Sequence, residues 1–376
     1  MRVLMTGGGT AGHVNPAIAI ANTIKEYEKD AEIAFVCSCQ PKDKALDLVP
    51  KAGYDKLYKV NILPSHKIYD PRNIKTLISM VKSKSEAKAI IEEFKPDVII
   101  GTGGFACYPV LNAGAGMGIP TIVHESNAIA GKAVLKLAPK VDCVMTNFES
   151  TATDLKKAKR VLNVGNPQVV GQKKSEGGEI AKGYKRSVLI FGGSLGAESL
   201  NRAVVEMLCK IIDKYPDTEF FHAAGKRDYD NLKAIYAEKG LDKKPNAVMV
   251  DYIYDMDARM PRADLVISRA GAMTISELAL LHKAAILVPS PFVAANHQYK
   301  NAKTLADAGA CSLVNETKVS CDESIVDVER LISETQRLLD SEEARCELWR
   351  EIAKLARPDA NRVIYDEIKK IIAEKK

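Results

Sequence analysis

Short apolar runs, each ending in glycine or a polar residue and each followed by a helical pattern, recur along the chain. Arg2 to Thr6 is the first and Glu32 to Cys39 the second. Pro96 to Ile100, Pro120 to Val123 and Val141 to Thr146 continue the series, with Val60 to Leu63 as a short extra strand. Hydrophobicity that is continuous rather than alternating marks strands buried on both faces. Between them, Asn15-Pro16 opens a helix that runs through Ile24. Pro71 to Phe94 reads as one or two helices, and Pro109 to Met117 as another. Strand and helix in alternation predict an α/β fold with a parallel, doubly wound sheet. Such sheets take ligands beyond the carboxyl ends of their strands, where the glycine-rich loops of this chain fall.

The pattern then begins again. Gly165-Asn166-Pro167 and the polar stretch from Gln172 to Lys185 read as a crossing between domains. Val188-Leu189-Ile190-Phe191-Gly192-Gly193-Ser194 aligns without a gap on Val3-Leu4-Met5-Thr6-Gly7-Gly8-Gly9. Strands at Thr218 to Ala223, Ala247 to Val250, Leu265 to Ile267 and Ala285 to Val288 complete a second domain of similar build. After Leu313 the chain is expected to be helical to its end, with Glu342 to Lys376 charged and amphipathic.

Composition fits this division. A chain of 376 residues is too long for one ordinary core and suits two domains. The net charge of +6 is mild and no block of lysines stands out, so nucleic acid is not an expected partner. A small basic excess does suit an anionic substrate or an anionic membrane surface. No apolar run reaches the roughly 18 residues that span a bilayer. Met1 to Met5 leads straight into glycines, which reads as a strand and not a signal peptide. The eight cysteines are scattered, as for reduced core thiols of a cytoplasmic protein.

Candidate chemistry sits at the strand ends. Gly7-x-Gly9-x-x-Gly12 fits the dinucleotide fingerprint, but no acid ends the second strand, at Cys37-Ser38-Cys39-Gln40. The same loop begins like a P-loop, yet His13-Val14 stands where Lys and Ser or Thr are needed. What remains is a tight turn presenting His13, either a general base near neutral pH or a helix cap. His124-Glu125-Ser126-Asn127 ends another strand, and Gly101-Thr102-Gly103-Gly104-Phe105 beside it offers backbone N–H groups for an anion. In the second half, Val266 to Glu277 reads as strand, small-residue turn and first helical turn, a ready phosphate site. Glu277 lies one turn inside, where a carboxylate can accept two ribose hydroxyls. Ser194 is placed to touch a phosphate, Asp251-Tyr252-Ile253 to present backbone to a flat base, and Gln298 to bond adjacent sugar hydroxyls.

Eight stretches carry a resemblance. They are GGGTAGHVNPAIA, GTGGFACYP, HESNAIAGK, GNP, GGSLGAESLN, DYIYDM, ADLVISRAGAMTISEL and HQYKNAKTLADAGA, in order across roughly Met1 to Ala310. In these the chain resembles the MurG family of glycosyltransferases, which add N-acetylglucosamine to a lipid-linked muramyl-pentapeptide. The resemblance implies a GT-B fold, with two Rossmann-like domains facing a cleft. Residues 1–163 would form the acceptor and membrane-facing domain, and 164–344 the domain for UDP-N-acetylglucosamine. The last segment, about 345–376, would pack back on the first domain. Ile253 would meet uracil, Glu277 the ribose, Ser194 and Ala272-Met273-Thr274 the diphosphate, and Gln298 the sugar. Thr10, Ala11, Gly12 and Asn127 would line the donor site from the other domain, and Gly103 and Gly104 would hold the acceptor diphosphate. His13 would be the base, with Glu125 the alternative. The enzyme would sit peripherally on the cytoplasmic face of the cell membrane and need neither cofactor nor metal.

Three positions depart from the family pattern. Ala11 stands for a glycine, Ser126 for a glutamine, and Gln168-Val169 for Val-Arg after Gly165-Asn166-Pro167. Arg269 and Lys173 are the candidates to replace the missing arginine. For the membrane, Ile74, Leu77, Ile78 and Val81 form an apolar stripe among Lys67, Arg72, Lys75, Lys82 and Lys84. A core-facing helix with a solvated rim has the same pattern. Another GT-B sugar-nucleotide enzyme, such as a glycolipid synthase or an epimerase, and a non-catalytic nucleotide-sugar-binding partner stay open as alternatives.

Overall fold

Val3, Leu4 and Met5 are wholly buried, and they lie in the middle of a sheet of seven strands. The computed structural model describes residues 1–63, 73–168, 183–193 and 195–375, without the side chains of 73–78. Two compact units result: Met1–Val170 with Arg357–Lys376, and Gly171–Ala356.

The first unit alternates β1 (Arg2–Thr6), α1 (Ala11–Tyr27), β2 (Glu32–Ser38), α2 (Ala45–Lys51), β3 (Leu57–Val60) and α3 (Asn73–Phe94). It continues with β4 (Val98–Gly101), α4 (Cys107–Gly116), β5 (Thr121–Glu125), α5 (Lys132–Leu137), β6 (Cys143–Thr146) and β7 (Val161–Asn163). All strand pairs are parallel, in the order β3-β2-β1-β4-β5-β6-β7. Side chains leave a strand on alternate faces. Val3, Met5, Ile33 and Phe35 accordingly join one core with α1, and Leu4, Ala34, Val36 and Ile99 join another with α3, α4 and α5.

The second unit repeats the plan with β8 (Arg186–Phe191), α6 (Glu198–Ile211), β9 (Thr218–Ala223), α7 (Tyr229–Glu238), β10 (Ala247–Val250) and α8 (Met256–Arg262). It then has β11 (Leu265–Ser268), α9 (Ala272–Leu280), β12 (Ala285–Leu287), α10 (His297–Asp307) and β13 (Ser312–Leu313). Its sheet runs β10-β9-β8-β11-β12-β13, again parallel. A hairpin of β14 (Glu316–Lys318) and β15 (Ser324–Val326) comes before α11 (Val328–Asp340) and α12 (Glu342–Ala353). Pro358 separates α12 from α13 (Ala360–Lys375), because proline offers no N–H to continue a helix. Helix α13 belongs to the first unit, where Ile364, Ile368, Ile371 and Ile372 enter the core beside α1.

Several expectations shift. The first helix begins at Ala11 rather than Asn15, with Pro16 inside it. The chain past Leu313 is not helical throughout: the β14–β15 hairpin intervenes. β7 was not foreseen, the third strand lies at Leu57–Val60, and a single helix runs over Asn73–Phe94.

Candidate active site

In each unit the sheet order reverses beside its first strand, between β1 and β4 and between β8 and β11. Loops leaving such a switch point diverge and open a crevice. The loops after β1 and β4 are Gly7 to Thr10 and Thr102 to Ala106, and they interlock. Gly9, Gly103 and Gly104 hold φ of 89°, 96° and 82°, a left-handed region that favours glycine. A Cβ on Gly104 would stand 2.2 Å from the Gly8 carbonyl oxygen, and one on Gly103 2.8 Å from His13 Nδ1. Gly103 and Gly104, expected at an anion site, therefore also pack directly on the β1 loop.

Thr10 is the extended N-cap of α1 and makes no side-chain cap bond, so the first turn keeps uncapped N–H groups. Ala11 has no positive φ and stands in the helix, so its methyl group fits where the family has glycine. Gly12 is exposed, and Pro16 supplies no N–H to its carbonyl. His13 follows in the same turn. Its Nδ1 lies 3.1 Å from the Thr102 carbonyl oxygen. A carbonyl only accepts, so Nδ1 carries the proton and Nε2 keeps its lone pair. The Thr102 hydroxyl donates to the His13 carbonyl at 2.6 Å, fixing the residue from a second side. Burial lowers the imidazole pKa, opposed by the Thr102 carbonyl and the charge of Asp43. A neutral imidazole with a free Nε2 at neutral pH is the form a general base requires.

Glu125 ends β5 and is buried. Its carboxylate accepts from Asn127 N (3.0 Å), Asn127 Nδ2 (3.0 Å) and Gly131 N (2.8 Å). These bonds make Glu125 the organiser of the turn that carries Asn127. Next to it, His124 Nε2–H donates to the Gly165 carbonyl at 2.8 Å, and burial takes the ring's pKa down to about 4. Its Nδ1 then accepts from the hydroxyl of Ser126, 3.4 Å away, so the shorter side chain keeps a partner. Gln168 stands in the motif that lacks arginine. Its N–H donates to Asn361 Oδ1 and its Nε2 to the Arg357 carbonyl, both at 2.7 Å, which ties this segment to α13.

In the second unit, Gly192 and Gly193 follow β8; Ser194 lies outside the described residues. Helix α9 starts at Ala272 with Gly271 as an extended cap that makes no side-chain cap bond, and the positive end of its dipole faces the loop after β11. Met273 and Thr274 belong to its first turn. Glu277 comes one turn on. Burial pushes its carboxyl up to about 7, and among the described residues it has no hydrogen-bond partner. Ile253 is buried in the loop after β10, between the exposed Tyr252 and Tyr254. Gln298 accepts from Ser290 N–H at 2.9 Å through Oε1, which fixes the amide and leaves Nε2 to donate. Arg269 does not replace the missing arginine. Its guanidinium pairs with the buried Glu316 and donates to the Val288 carbonyl and Ser199 Oγ. Lys173 lies outside the described residues.

Sequence reasoning missed Asp43. It stands five residues beyond β2, and its buried carboxylate is used by the loop itself rather than left for a ribose. It also missed Thr102 as the partner of His13 and Glu316 as that of Arg269, because neither pair is close in sequence. Among the described residues no group of three or more His, Cys, Asp and Glu is placed to hold a metal ion, and no helix is long and apolar enough to cross a membrane.

Two Rossmann-like parallel sheets, with glycine turns at both switch points, define the GT-B class of fold, which nucleotide-sugar transferases use. Residues 3–146 match the glycosyltransferase family 28 N-terminal domain, and residues 187–359 its C-terminal domain. A relative from Limosilactobacillus reuteri is 37% identical over 96% of this chain and 95% of its own. One from Bacillus cytotoxicus is 36% identical over 99% of this chain and all of its own. Both are named UDP-N-acetylglucosamine--N-acetylmuramyl-(pentapeptide) pyrophosphoryl-undecaprenol N-acetylglucosamine transferase. The crystal structure of Acinetobacter baumannii MurG superposes with a TM-score of 0.75 at 27% identity, covering 98% of this chain and 99% of that one. A UDP-GlcNAc 2-epimerase from Neisseria meningitidis, with a TM-score of 0.62 at 14% identity and coverage of 98% and 100%, shares the fold alone. The chain belongs to glycosyltransferase family 28, within the group of these N-acetylglucosamine transferases.

Gly103 gives a direct test of the interlocked loops. Gly103→Ala places a methyl group at positive φ and against the His13 ring, at a cost of about 1–3 kcal/mol. Urea denaturation should register that loss, and glycosyl transfer should fall by more than the lost folded fraction explains.

Proposed function

We propose that this chain transfers N-acetylglucosamine from UDP-N-acetylglucosamine to the C4 hydroxyl of a lipid-linked N-acetylmuramyl-pentapeptide, with inversion. The observation that carries the reading is the contact of His13 Nδ1 with the Thr102 carbonyl, which favours the tautomer whose Nε2 can accept a proton. The names of near full-length relatives supply the substrates. In this reading Nε2 takes the hydroxyl proton while the oxygen attacks the anomeric carbon from the face opposite UDP. The bond to the diphosphate breaks in the same step. Charge growing on the diphosphate meets the N-terminus of α9 at Ala272, Met273 and Thr274, a field already oriented before reaction. Ser194 adds to that contact. Glu277 accepts the ribose hydroxyls, the Ile253 backbone reads uracil, and Gln298 Nε2 donates to the sugar. Thr10, Ala11, Gly12 and Asn127 also serve the donor, and Gly103 and Gly104 hold the acceptor diphosphate. Glu125 shapes the Asn127 turn and is the alternative base.

A peripheral place on an anionic membrane follows from a lipid-linked acceptor. The surface we assign is the stretch Ile68 to Lys84. Residues 68–72 lie outside the described ones, and Ile74, Leu77 and Ile78 are described only as backbone of α3. Val81 at its far end is 70% exposed beside the exposed Lys82 and Lys84. An apolar side chain open to water among lysines suits such an interface.

With labelled UDP-N-acetylglucosamine, a short-chain acceptor analogue and a chelator, label should pass to the lipid product. His13→Ala should lower turnover by roughly 10²–10⁴-fold with UDP binding near normal; unchanged turnover moves the base to another residue. Glu277 sets a pH dependence. Ribose hydroxyls donate to the ionised carboxylate, so binding favours the deprotonated form. With the free group titrating at about 7, UDP affinity should weaken roughly tenfold from pH 8 to pH 6. Calorimetry on Glu277→Gln should show weaker, nearly pH-independent binding. Ile74→Ser with Leu77→Ser should release the protein from anionic vesicles without unfolding it, and undiminished vesicle binding would sink the membrane assignment.

A further inference from the structure

The turn that carries His13 is held from below by a carboxylate. Asp43 is 3% exposed. Its Oδ1 accepts from Gly9 N at 2.8 Å and Ala45 N at 3.0 Å. Its Oδ2 accepts from Ser38 N at 3.0 Å and Ser38 Oγ at 2.8 Å. One side chain thus joins the end of β2, the start of α2 and the glycine turn between β1 and α1. Lys44 N–H adds a longer bond to the Gly9 carbonyl. The fit is close: a Cβ on Gly8 would stand 2.7 Å from Asp43 Oδ2. Four donors converge on this one buried carboxylate, so its hydrogen-bonding capacity is met without water.

We propose that Asp43 is a positioning residue for the transfer step: its carboxylate fixes the glycine turn that carries His13 and supplies a counter-charge when the imidazole takes up a proton. The proposal rests on reading His13 as the base. Among the described residues the other groups near the ring are neutral. Thr102, on the β4 side, presents a neutral carbonyl. Cys107 on α4, hydrogen-bonded to the Gly103 backbone beside the ring, is a thiol that burial pushes up to about 12, so it is neutral at working pH. Among the described residues Asp43 is the charged group that acts on the His13 titration, and it raises it against the effect of burial. A base that is buried needs such an offset, or its conjugate acid becomes too costly to form. The geometry adds a second effect. Thr102 holds His13 from the β4 side and Asp43 holds Gly9 from the β2 side, so loss of either leaves the turn and the residue it carries held from one side only.

The test is Asp43→Asn, which removes the charge and keeps the shape. NMR of the imidazole resonances gives the His13 midpoint in the protein without substrate, and kcat/KM against pH gives the acid limb of transfer. Losing a counter-charge disfavours the imidazolium, so both should move to lower pH, by on the order of half a unit. Plateau kcat should fall several-fold, with UDP affinity unchanged. An unmoved NMR midpoint together with wild-type plateau kcat overturns the proposal and leaves the His13 reading intact. An NMR midpoint that moves while the acid limb stays supports Asp43's place beside the ring and refutes His13 as the base. Should Asp43→Asn fail to fold, Ser38→Ala decides: it keeps the charge and removes one donor. Plateau kcat should then fall a few-fold with the His13 midpoint in place, and wild-type kcat overturns the positioning role.

Discussion

Backbone laid directly on backbone is the constraint on which the rest depends. In the first unit Gly104 lies so near the Gly8 carbonyl that a Cβ would come within 2.2 Å. In the second, a Cβ on Gly225 would come within 2.0 Å of Gly196 N. Removing side chains at these points brings neighbouring strand-end loops together, and the polar groups of those loops then face outward to a ligand. His13 gains its partner Thr102 only because the β4 loop can lie against the β1 loop. A glycine that looks like flexibility in the sequence acts here as closeness.

The two units answer the same chemical problem in opposite ways. In the first, the reactive group is fully engaged on one side: Nδ1 donates, the hydroxyl of Thr102 returns a bond, and Nε2 alone is left. In the second, the group at issue is unengaged. Among the described residues Glu277 has no hydrogen-bond partner, and burial pushes its carboxyl up to about 7. Rigid placement suits a base that must meet one proton. Stored, unmet hydrogen-bonding capacity suits a site that must favour a ligand bearing two hydroxyls.

Most of the sheet was legible because buried parallel strands are short unbroken apolar runs, and Val3 to Thr6 or Leu265 to Ile267 can hardly be anything else. The candidate residues at strand ends were legible for the same reason, since the strand fixes where the chain must leave the sheet. What failed was local competition. Pro16 reads as a helix start, but α1 begins five residues earlier and absorbs the proline at the cost of one bond to Gly12. The β14–β15 hairpin has strands too short for a period to show. Asp43 and Glu316 were invisible because their partners are set by folding: Gly9 is 34 residues from Asp43, and Arg269 is 47 from Glu316.

Helix α13 carries a consequence for how the protein is made. The ribosome releases the seven strands of the first sheet, then the whole second unit, and only afterwards Ile364, Ile368, Ile371 and Ile372, which lie against α1. Until those isoleucines emerge, the α1 face of the first sheet has no cover there. At about 5–20 residues per second, the roughly 200 residues between β7 and α13 represent about 10–40 seconds of translation. The earlier-born unit is therefore the later to be finished. During that interval part of its apolar face stays open to water.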